Sequence, residues 1–139
     1  MNQVARRQAH RERRDALDAA MQATGQTVEL LVEHHFSNFT YTRELFMPAG
    51  TVLTGKIHRF ECTNILSKGR VLVATEDGLV EIEAPCTFVT GPGISKVMTA
   101  LEDSVFINVH PWDGYSTVEQ IERQLIVPSY EALEQENRQ

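Results

Sequence analysis

The order of apolar and polar residues divides the chain into three parts. Residues 4–23 are mostly good helix formers with few, small apolar side chains, which predicts a helix that needs a partner surface. The middle of the chain has short apolar runs at near-even spacing, and the residues after 115 return to helical spacing. The pattern predicts an N-terminal helical arm over 1–40, a β-barrel over 41–111 and a C-terminal helical segment over 112–139.

Turn-forming residues separate the candidate strands of the middle part. The strongest hairpin signal is Glu76-Asp77-Gly78, because Asp-Gly suits a tight turn with positive φ. Many short strands connected in this way are typical of an antiparallel sandwich or barrel rather than of a parallel sheet with helices. The predicted strands are 41–47, 52–58, 62–67, 70–75, 78–82, 87–90, 96–100 and 104–110.

Helices are also predicted on either side of the strands. A stripe of apolar residues predicts a helix over 27–36, with a strand over 28–32 as the alternative. On that helix, His34 and His35 would point about 100° apart and would form a poor chelating pair. Further on, Ser116 and Glu119 have the spacing of a capping box, which predicts that a helix starts there and ends at Pro128. One or two further turns are predicted over 129–135.

The composition fits one globular domain. The chain has 139 residues, of which 42% are apolar, enough for a single core. No apolar run reaches the ~18–20 residues that a bilayer requires, so no membrane partner is expected. The start of the chain is charged, unlike a secretory signal. Cys62 and Cys86 are too few for a disulfide framework, so we expect reduced thiols in a cytosolic protein.

Charge is distributed unevenly along the chain. The first 20 residues hold five arginines against three acidic residues, whereas the other 119 hold eight basic and 16 acidic side chains. Phosphate repels such an acidic body, which argues against nucleic acid as a partner. The arginine-rich helix could dock on another chain or another copy, or it could lie on its own barrel. The candidate partner-binding residues are Arg6, Arg7, Arg11, Arg13 and Arg14.

Two segments resemble the sequence motifs of the cupin family. Residues 48–69 resemble the first motif, with His, Glu, Cys and Asn near a bend and a glycine at the end. Residues 84–93, which end in Gly-Pro-Gly, resemble the second motif. The resemblance covers about residues 41–111. It implies a mainly β fold, a cupin-like antiparallel double-stranded β-helix, or jelly roll, with N-terminal and C-terminal α-helices.

The metal ligands of the usual cupin motifs have no full counterpart in this chain. The resemblance places Lys56 at the first histidine, His58 at the second, Cys62 at the acid with Glu61 beside it, and Lys96 near the third histidine. A lysine ammonium has no free lone pair and repels a cation, so we expect no catalytic residue and no metal or other cofactor. The remaining metal candidates are His58, Cys62 and His110, with Glu61 available if the chain bends there.

The chain also resembles a subgroup of cupin-like small proteins of bacteriophages. The segments that carry this resemblance are 41–51, 65–69, 84–85, 102–106 and 109–111. It implies a phage accessory or virion structural protein, located in the virion or the host cytoplasm, with other phage proteins as partners. Cupin-like barrels often associate through their outer sheets, so the resemblance also implies a homo-oligomer.

Two functions therefore remain open. The first is a non-enzymatic module that docks to partner chains through its N-terminal helix. The second is a small-molecule-binding or metal-dependent cupin enzyme with its site in the barrel mouth. Lysines in place of histidines would favour an anionic ligand, and His58 is the side chain near the motif best suited to act as a general base. The candidate pocket residues are Lys56, His58, Glu61, Cys62, Asn64 and Lys96.

Overall fold

A computed structural model describes residues 2–25 and 28–138 of the chain. It is mainly β with helices at both ends, so the predicted fold class is confirmed. The helices are α1 (Gln3–Ala23), α2 (Val118–Leu125) and α3 (Tyr130–Asn137). The strands are β1 (Val32–Ser37), β2 (Thr40–Met47), β3 (Val52–Thr54), β4 (Ile57–His58), β5 (Cys62–Lys68), β6 (Arg70–Thr75), β7 (Gly78–Glu83), β8 (Cys86–Thr90), β9 (Val97–Ala100), β10 (Ser104–Pro111) and β11 (Ile126–Val127).

Two antiparallel sheets enclose the core. One has the strand order β1-β2-β10-β5-β8 and the other has the order β3-β9-β6-β7, while β4 and β11 form a separate short ribbon. The apolar core draws side chains from both large sheets, as a sandwich or barrel requires. Its buried members are Leu45, Met47, Leu66, Val71, Val73, Met98, Ala100 and Phe106.

Strand β10 determines which side chains enter the barrel. Its buried positions alternate regularly, because successive side chains on a strand point to opposite faces. Phe106 is aligned with Leu45 on β2 and Leu66 on β5, which makes an apolar layer. Two residues further on, Asn108 is aligned with Asn64 on β5. The interior therefore changes from apolar to polar within one step of the strand.

The C-terminal segment closes the polar end of the barrel. Ile121 and Leu125 of α2 pack in one cluster with Tyr41 of β2. Strand β11 then pairs with β4, which aligns Ile126 with His58. Arg59 fixes this arrangement: its backbone N–H donates to the Leu125 carbonyl at 2.7 Å, and its guanidinium pairs with a carboxylate of α3 at 2.8 Å.

Helix α1 lies on the barrel through polar contacts. His10 is buried, and its Nε2 is 2.8 Å from the Ser95 carbonyl oxygen. One turn later, Arg14 donates to Ser95 Oγ at 3.0 Å and to a backbone carbonyl at 2.9 Å. Asp18 accepts from Thr54 at 2.7 Å. Positions 10, 14 and 18 lie on one face of the helix, and this face therefore packs against the barrel.

The hairpin at Glu76-Asp77-Gly78 is confirmed, whereas the predicted helix over 27–36 is wrong. Thr75 pairs with Gly78 across a two-residue loop. In the other segment, Val32–Ser37 forms strand β1, which pairs with β2 along its whole length. The apolar stripe coincided with an alternating pattern, and the sheet edge offered by β2 decided the outcome. Residues 26 and 27 lie outside the described residues.

Two smaller predictions are also wrong. The predicted strand 52–58 is two strands in different sheets, because the chain crosses between the sheets at Gly55 and Lys56. The capping box begins one residue later than predicted and joins Thr117 with Gln120. Ser116 is instead buried, and its hydroxyl donates to Asp113. In the described part of the chain, no helix has both the length and the apolar character needed to cross a bilayer.

Replacing Gly69 with alanine should destabilise the protein more than replacing Gly50. Both glycines have φ of +88°, which strains any other residue by roughly 1–2 kcal/mol. An added Cβ at Gly50 meets nothing within 4 Å, but at Gly69 it would lie 2.5 Å from the Asp103 carbonyl oxygen. We expect Gly69→Ala to cost about 1–3 kcal/mol more than Gly50→Ala in urea unfolding. Equal losses for the two variants would contradict this account.

Candidate functional site

A network of uncharged polar side chains lies in the polar layer of the barrel. Asn64 has no exposed surface, and its Nδ2 donates to Thr90 Oγ1 at 2.6 Å and to the Cys62 carbonyl at 3.2 Å. Its Oδ1 accepts from Asn108 Nδ2 at 2.7 Å. These bonds satisfy the amide of Asn64, so burial costs it little.

Lys96 reaches into the same layer. The residue is only 5% exposed, its Nζ donates to Thr90 Oγ1 at 3.3 Å, and it lies 5.9 Å from the centroid of the Phe106 ring. An ammonium has three donors, and one long hydrogen bond satisfies it poorly. Among the described residues, no carboxylate forms an ion pair with Lys96. Burial lowers its pKa, because a charge in a poorly solvated site is unfavourable.

The weakly acidic thiol of Cys62 is the group whose negative form would favour the charged form of Lys96. Burial raises the pKa of the Cys62 thiol, and the charge of Lys96 lowers it only in part. The thiol donates to the Thr63 carbonyl at 3.4 Å. Burial therefore disfavours the charged form of each of these two groups.

Two histidines form the outer layer of the site. The rings of His58 and His110 meet edge to face with 5.6 Å between their centroids. Burial lowers the pKa of each to about 4, and the positive charges of Lys96 and Arg43 contribute to both shifts. Both imidazoles are therefore neutral at pH 7. The Nδ1 atom of His58 is buried, and within residues 2–25 and 28–138 it has no hydrogen-bond partner.

A cavity of about 300 Å³ opens beside these two histidines. Its walls combine the two imidazoles with apolar groups and one exposed acid, Glu61. The chain bends at Arg59 and Phe60, which brings Glu61 to the same cavity as His58 instead of the opposite face. The lining residues are His58, Phe60, Glu61, His110, Pro111 and Leu125.

An aromatic stack holds His110 in place. Its ring lies 6.0 Å from that of Tyr41, and Tyr41 in turn stacks on Phe36 at 5.1 Å. The Tyr41 hydroxyl is 2.6 Å from His34 Nδ1, and burial raises the pKa of this phenol. His34 thus lies on strand β1, on the same face of the sheet as Tyr41, and remains exposed, which corrects its predicted place on a helix.

The structure brings most of the candidate pocket residues together. His58 and Glu61 line the cavity, and Cys62, Asn64 and Lys96 lie in the layer behind it. Lys56 does not join them: it is exposed in the crossing between β3 and β4 and lines a groove on the α1 side. The reason is the break at Gly55, whose N–H donates to the Lys96 carbonyl at 2.6 Å and ends the strand.

Sequence reasoning missed three residues of the site. Thr90 and Asn108 join the polar network, and Arg43 acts on both histidines. Asn108 could have been found from the alternation of β10, because Asn108 stands two residues before His110 on that strand and so shares its face. The strand itself was predicted correctly. The role of Thr90 depends on its alignment with Cys62 across two strands, which the sequence does not reveal.

The interior residues do not fit the metal that cupin motifs usually hold. The amine of Lys96 occupies the region next to His58 and Cys62, where a cationic form would repel a metal ion. In residues 2–25 and 28–138, none of His58, Cys62 and His110 belongs to a group of three His, Cys, Asp or Glu ligands whose donor atoms lie within 4.8 Å of one another. No chemical step at this site is therefore assigned to a metal.

The arginines of α1 divide into two groups. Arg7 pairs with Glu76 at 3.0 Å, Arg11 pairs with Glu134 at 3.0 Å, and Arg14 binds the barrel as described above. Arg11 also lies 4.4 Å above the ring of Tyr130. Arg6 and Arg13 are exposed. Three of the five candidate partner-binding residues thus contact the chain's own surface, and partner binding stays a prediction.

Comparisons with known proteins found similarity in structure alone. No family model matches the chain, and no curated protein matches it. A cupin superfamily protein from Desulfitobacterium hafniense DCB-2 superimposes with a TM-score of 0.53 at 7% identity, covering 63% of this chain and 82% of that one. The Cnp3 cupin domain of Schizosaccharomyces pombe gives 0.51 at 12% identity, covering 70% of each chain.

The chain has the cupin fold. Salicylate 1,2-dioxygenase from Pseudoaminobacter salicylatoxidans, in adducts with gentisate, also superimposes, with a TM-score of 0.55 at 10% identity. That match covers 81% of this chain and 32% of the dioxygenase, so the chain spans about a third of that enzyme's length. At such identities the likeness establishes the cupin fold, and the activity has to be argued from the site.

Stability should fall as the pH drops from about 6.5 to about 4. In this window the unfolded chain binds protons at His58 and His110 that the folded chain does not, because folding lowers the pKa of both to about 4. The slope is at most about 2.7 kcal/mol per pH unit for two histidines, less for the partly exposed His58. Urea unfolding between pH 5 and 7 should show a flatter profile for the His58→Gln, His110→Gln double variant. A wild-type profile that is equally flat would contradict the neutral burial of both rings.

Replacing Lys96 with methionine should raise the pKa of His58 and His110. Removing the ammonium removes one cause of both shifts, but burial, the largest cause, remains, so neither pKa should return to 6.5. Imidazole NMR signals followed against pH measure the change. Lys56→Met is the matched control, because Lys56 is exposed and outside the site. If the histidine pKa values were the same in both variants, the charge of Lys96 would not contribute to the two shifts.

Proposed function

We propose that this chain binds a small organic carboxylate in the cavity beside His58 and His110. One observation carries the proposal: Lys96 is buried behind these histidines, and among the described residues no acidic side chain pairs with it. A buried amine without a counter-ion costs stability, so its presence calls for an explanation other than packing.

The charges around the cavity favour an anion. The positive charges of Lys96 and Arg43 both lower the pKa of the two histidines. The polar groups around them are uncharged amides, hydroxyls and imidazoles. A ligand carboxylate would accept hydrogen bonds from imidazole N–H groups. Its negative charge would also raise the pKa values of Lys96, His58 and His110, because it favours their protonated forms. Binding of the anion should therefore take up protons. Glu61 stands at the exposed rim of the cavity, where water screens its charge.

The walls of the cavity favour a ligand with an apolar body. Phe60, Pro111 and Leu125 supply hydrophobic surface around the polar inner end. Such a division, with an apolar wall and a few convergent polar groups, is typical of small-molecule sites. A volume of about 300 Å³ accommodates one small ring with a carboxylate.

The other functions expected from the sequence have less support in this geometry. A metal-dependent reaction conflicts with Lys96, as argued above. Docking through the helix face that carries His10 and Arg14 would compete with the contacts that these residues already make to the barrel. The bacteriophage setting, the virion or host-cytoplasm location and the phage partners stay predictions.

A homo-oligomer is part of the proposal. The outer face of the five-stranded sheet carries a row of partly exposed apolar side chains, which an association between copies would cover. Val89 at its edge is 63% exposed. The row consists of Ile65, Val89, Val105, Ile107 and Val109.

Benzoate should bind the wild-type protein more tightly than benzamide. The two probes have nearly the same shape, but only benzoate carries the negative charge that Lys96 attracts. Calorimetry at pH 7 in two buffers of different ionisation enthalpy should also reveal proton uptake with benzoate. Lys96→Met should weaken benzoate binding by roughly tenfold or more, because an interaction with a charged group contributes ~1.5–3 kcal/mol.

Two controls make the benzoate test specific. Lys56→Met removes a lysine outside the site and should leave binding unchanged, while His58→Gln should weaken it. Thermal unfolding of each variant confirms that it is folded. Equal binding of benzoate and benzamide, or unchanged binding in Lys96→Met, would overturn the proposal of an anion site.

A further inference from the structure

A second cluster of chemically active side chains lies outside the barrel. Glu33 and His35 share one face of β1, and Glu44 stands on the adjacent strand directly opposite Glu33. His35 Nε2 is 3.1 Å from a carboxylate oxygen of Glu44 and 3.9 Å from one of Glu33. One ligand atom from each residue lies within 4.8 Å of the other two.

We propose that Glu33, His35 and Glu44 bind a divalent metal ion of the zinc type on the outer face of the five-stranded sheet. One imidazole nitrogen and two carboxylate oxygens form a donor set that suits Zn²⁺, Ni²⁺ or Co²⁺. Mg²⁺ and Ca²⁺ prefer oxygen ligands alone, so the imidazole discriminates against them. Three protein ligands leave the fourth tetrahedral position to water.

The charge arrangement supports a cation at this place. Two like charges directly opposite each other across antiparallel strands destabilise the pair. Among the described residues, the salt-bridge contacts of Glu33 and Glu44 are made with His35 alone. Arg43 follows the alternation of β2 and belongs to the inner face, where it acts on His58 and His110. A divalent cation would neutralise the acidic pair far better than one imidazole.

The cluster is accessible and sits on regular strands. The side chains of Glu33 and His35 are each 53% exposed and that of Glu44 is 25% exposed, so an ion can reach them from solvent. Strand β1 pairs with β2 from Val32 to Ser37, and this pairing fixes the relative positions of the three Cα atoms. Ligands held by regular elements need less ordering when the ion binds.

Zinc titration of the metal-free full chain tests the site. We expect one saturable Zn²⁺ site by calorimetry, and no comparable binding of Mg²⁺. His35→Gln should weaken Zn²⁺ binding by roughly 100-fold, and the Glu33→Gln, Glu44→Gln double variant should do the same. In NMR spectra, Zn²⁺ should shift the imidazole signals of His35 before those of the other histidines.

His34→Gln is the matched control. It makes the same substitution one residue away, on the opposite face of the same strand, and should leave Zn²⁺ binding unchanged. The His58→Gln, His110→Gln variant should also retain it, which separates this site from the barrel cavity. Zn²⁺ binding that survives His35→Gln, or that depends on the two cysteines, would overturn the assignment. So would a wild-type chain that shows no saturable binding.

Discussion

The alignment of β10 between β2 and β5 is the constraint on which the rest of the structure depends. It places Phe106 in the apolar layer and Asn108 beside Asn64 in the polar one. A slip of one residue would turn every inward side chain of β10 to the outer face. The core, the polar network and the position of His110 would all be lost together, so packing and site are specified by one set of hydrogen bonds.

The polar layer of the barrel contains buried polar groups whose hydrogen bonding is incomplete, which lowers the stability of the fold. Asn64, Asn108 and Thr90 satisfy one another, whereas, among the residues that the structure describes, Lys96 finds a single long hydrogen bond and His58 Nδ1 finds none. An apolar core of equal volume would be at least as stable as this half-satisfied layer. Local violations of the packing rules are expected at functional sites, and here they occur together beside the cavity.

Much of the fold could be predicted from the sequence, because turn residues mark the strands. Only part of the candidate site could be predicted from the sequence. His58, Cys62 and Lys96 were found through their motif positions, whereas Thr90 and the cluster around His35 depend on which strands become neighbours. Lys56 was misplaced because 52–58 was taken as one strand, although Gly55, where the chain crosses, is a residue that often interrupts strands. Local patterns specify elements, and the contacts between distant elements follow from tertiary packing.

The same sheet presents charges of opposite sign on its two faces. Along β1 and β2, alternation places His34 and Arg43 on one face of the sheet and Glu33, His35 and Glu44 on the other. The inner face is thereby suited to an anion and the outer face to a cation. If β1 were shifted by one residue, Glu33 would turn to the other face of the sheet and could lie opposite Arg43. The register of this edge strand therefore keeps its acid away from Arg43 and, in the same step, assembles the acidic pair on the outer face.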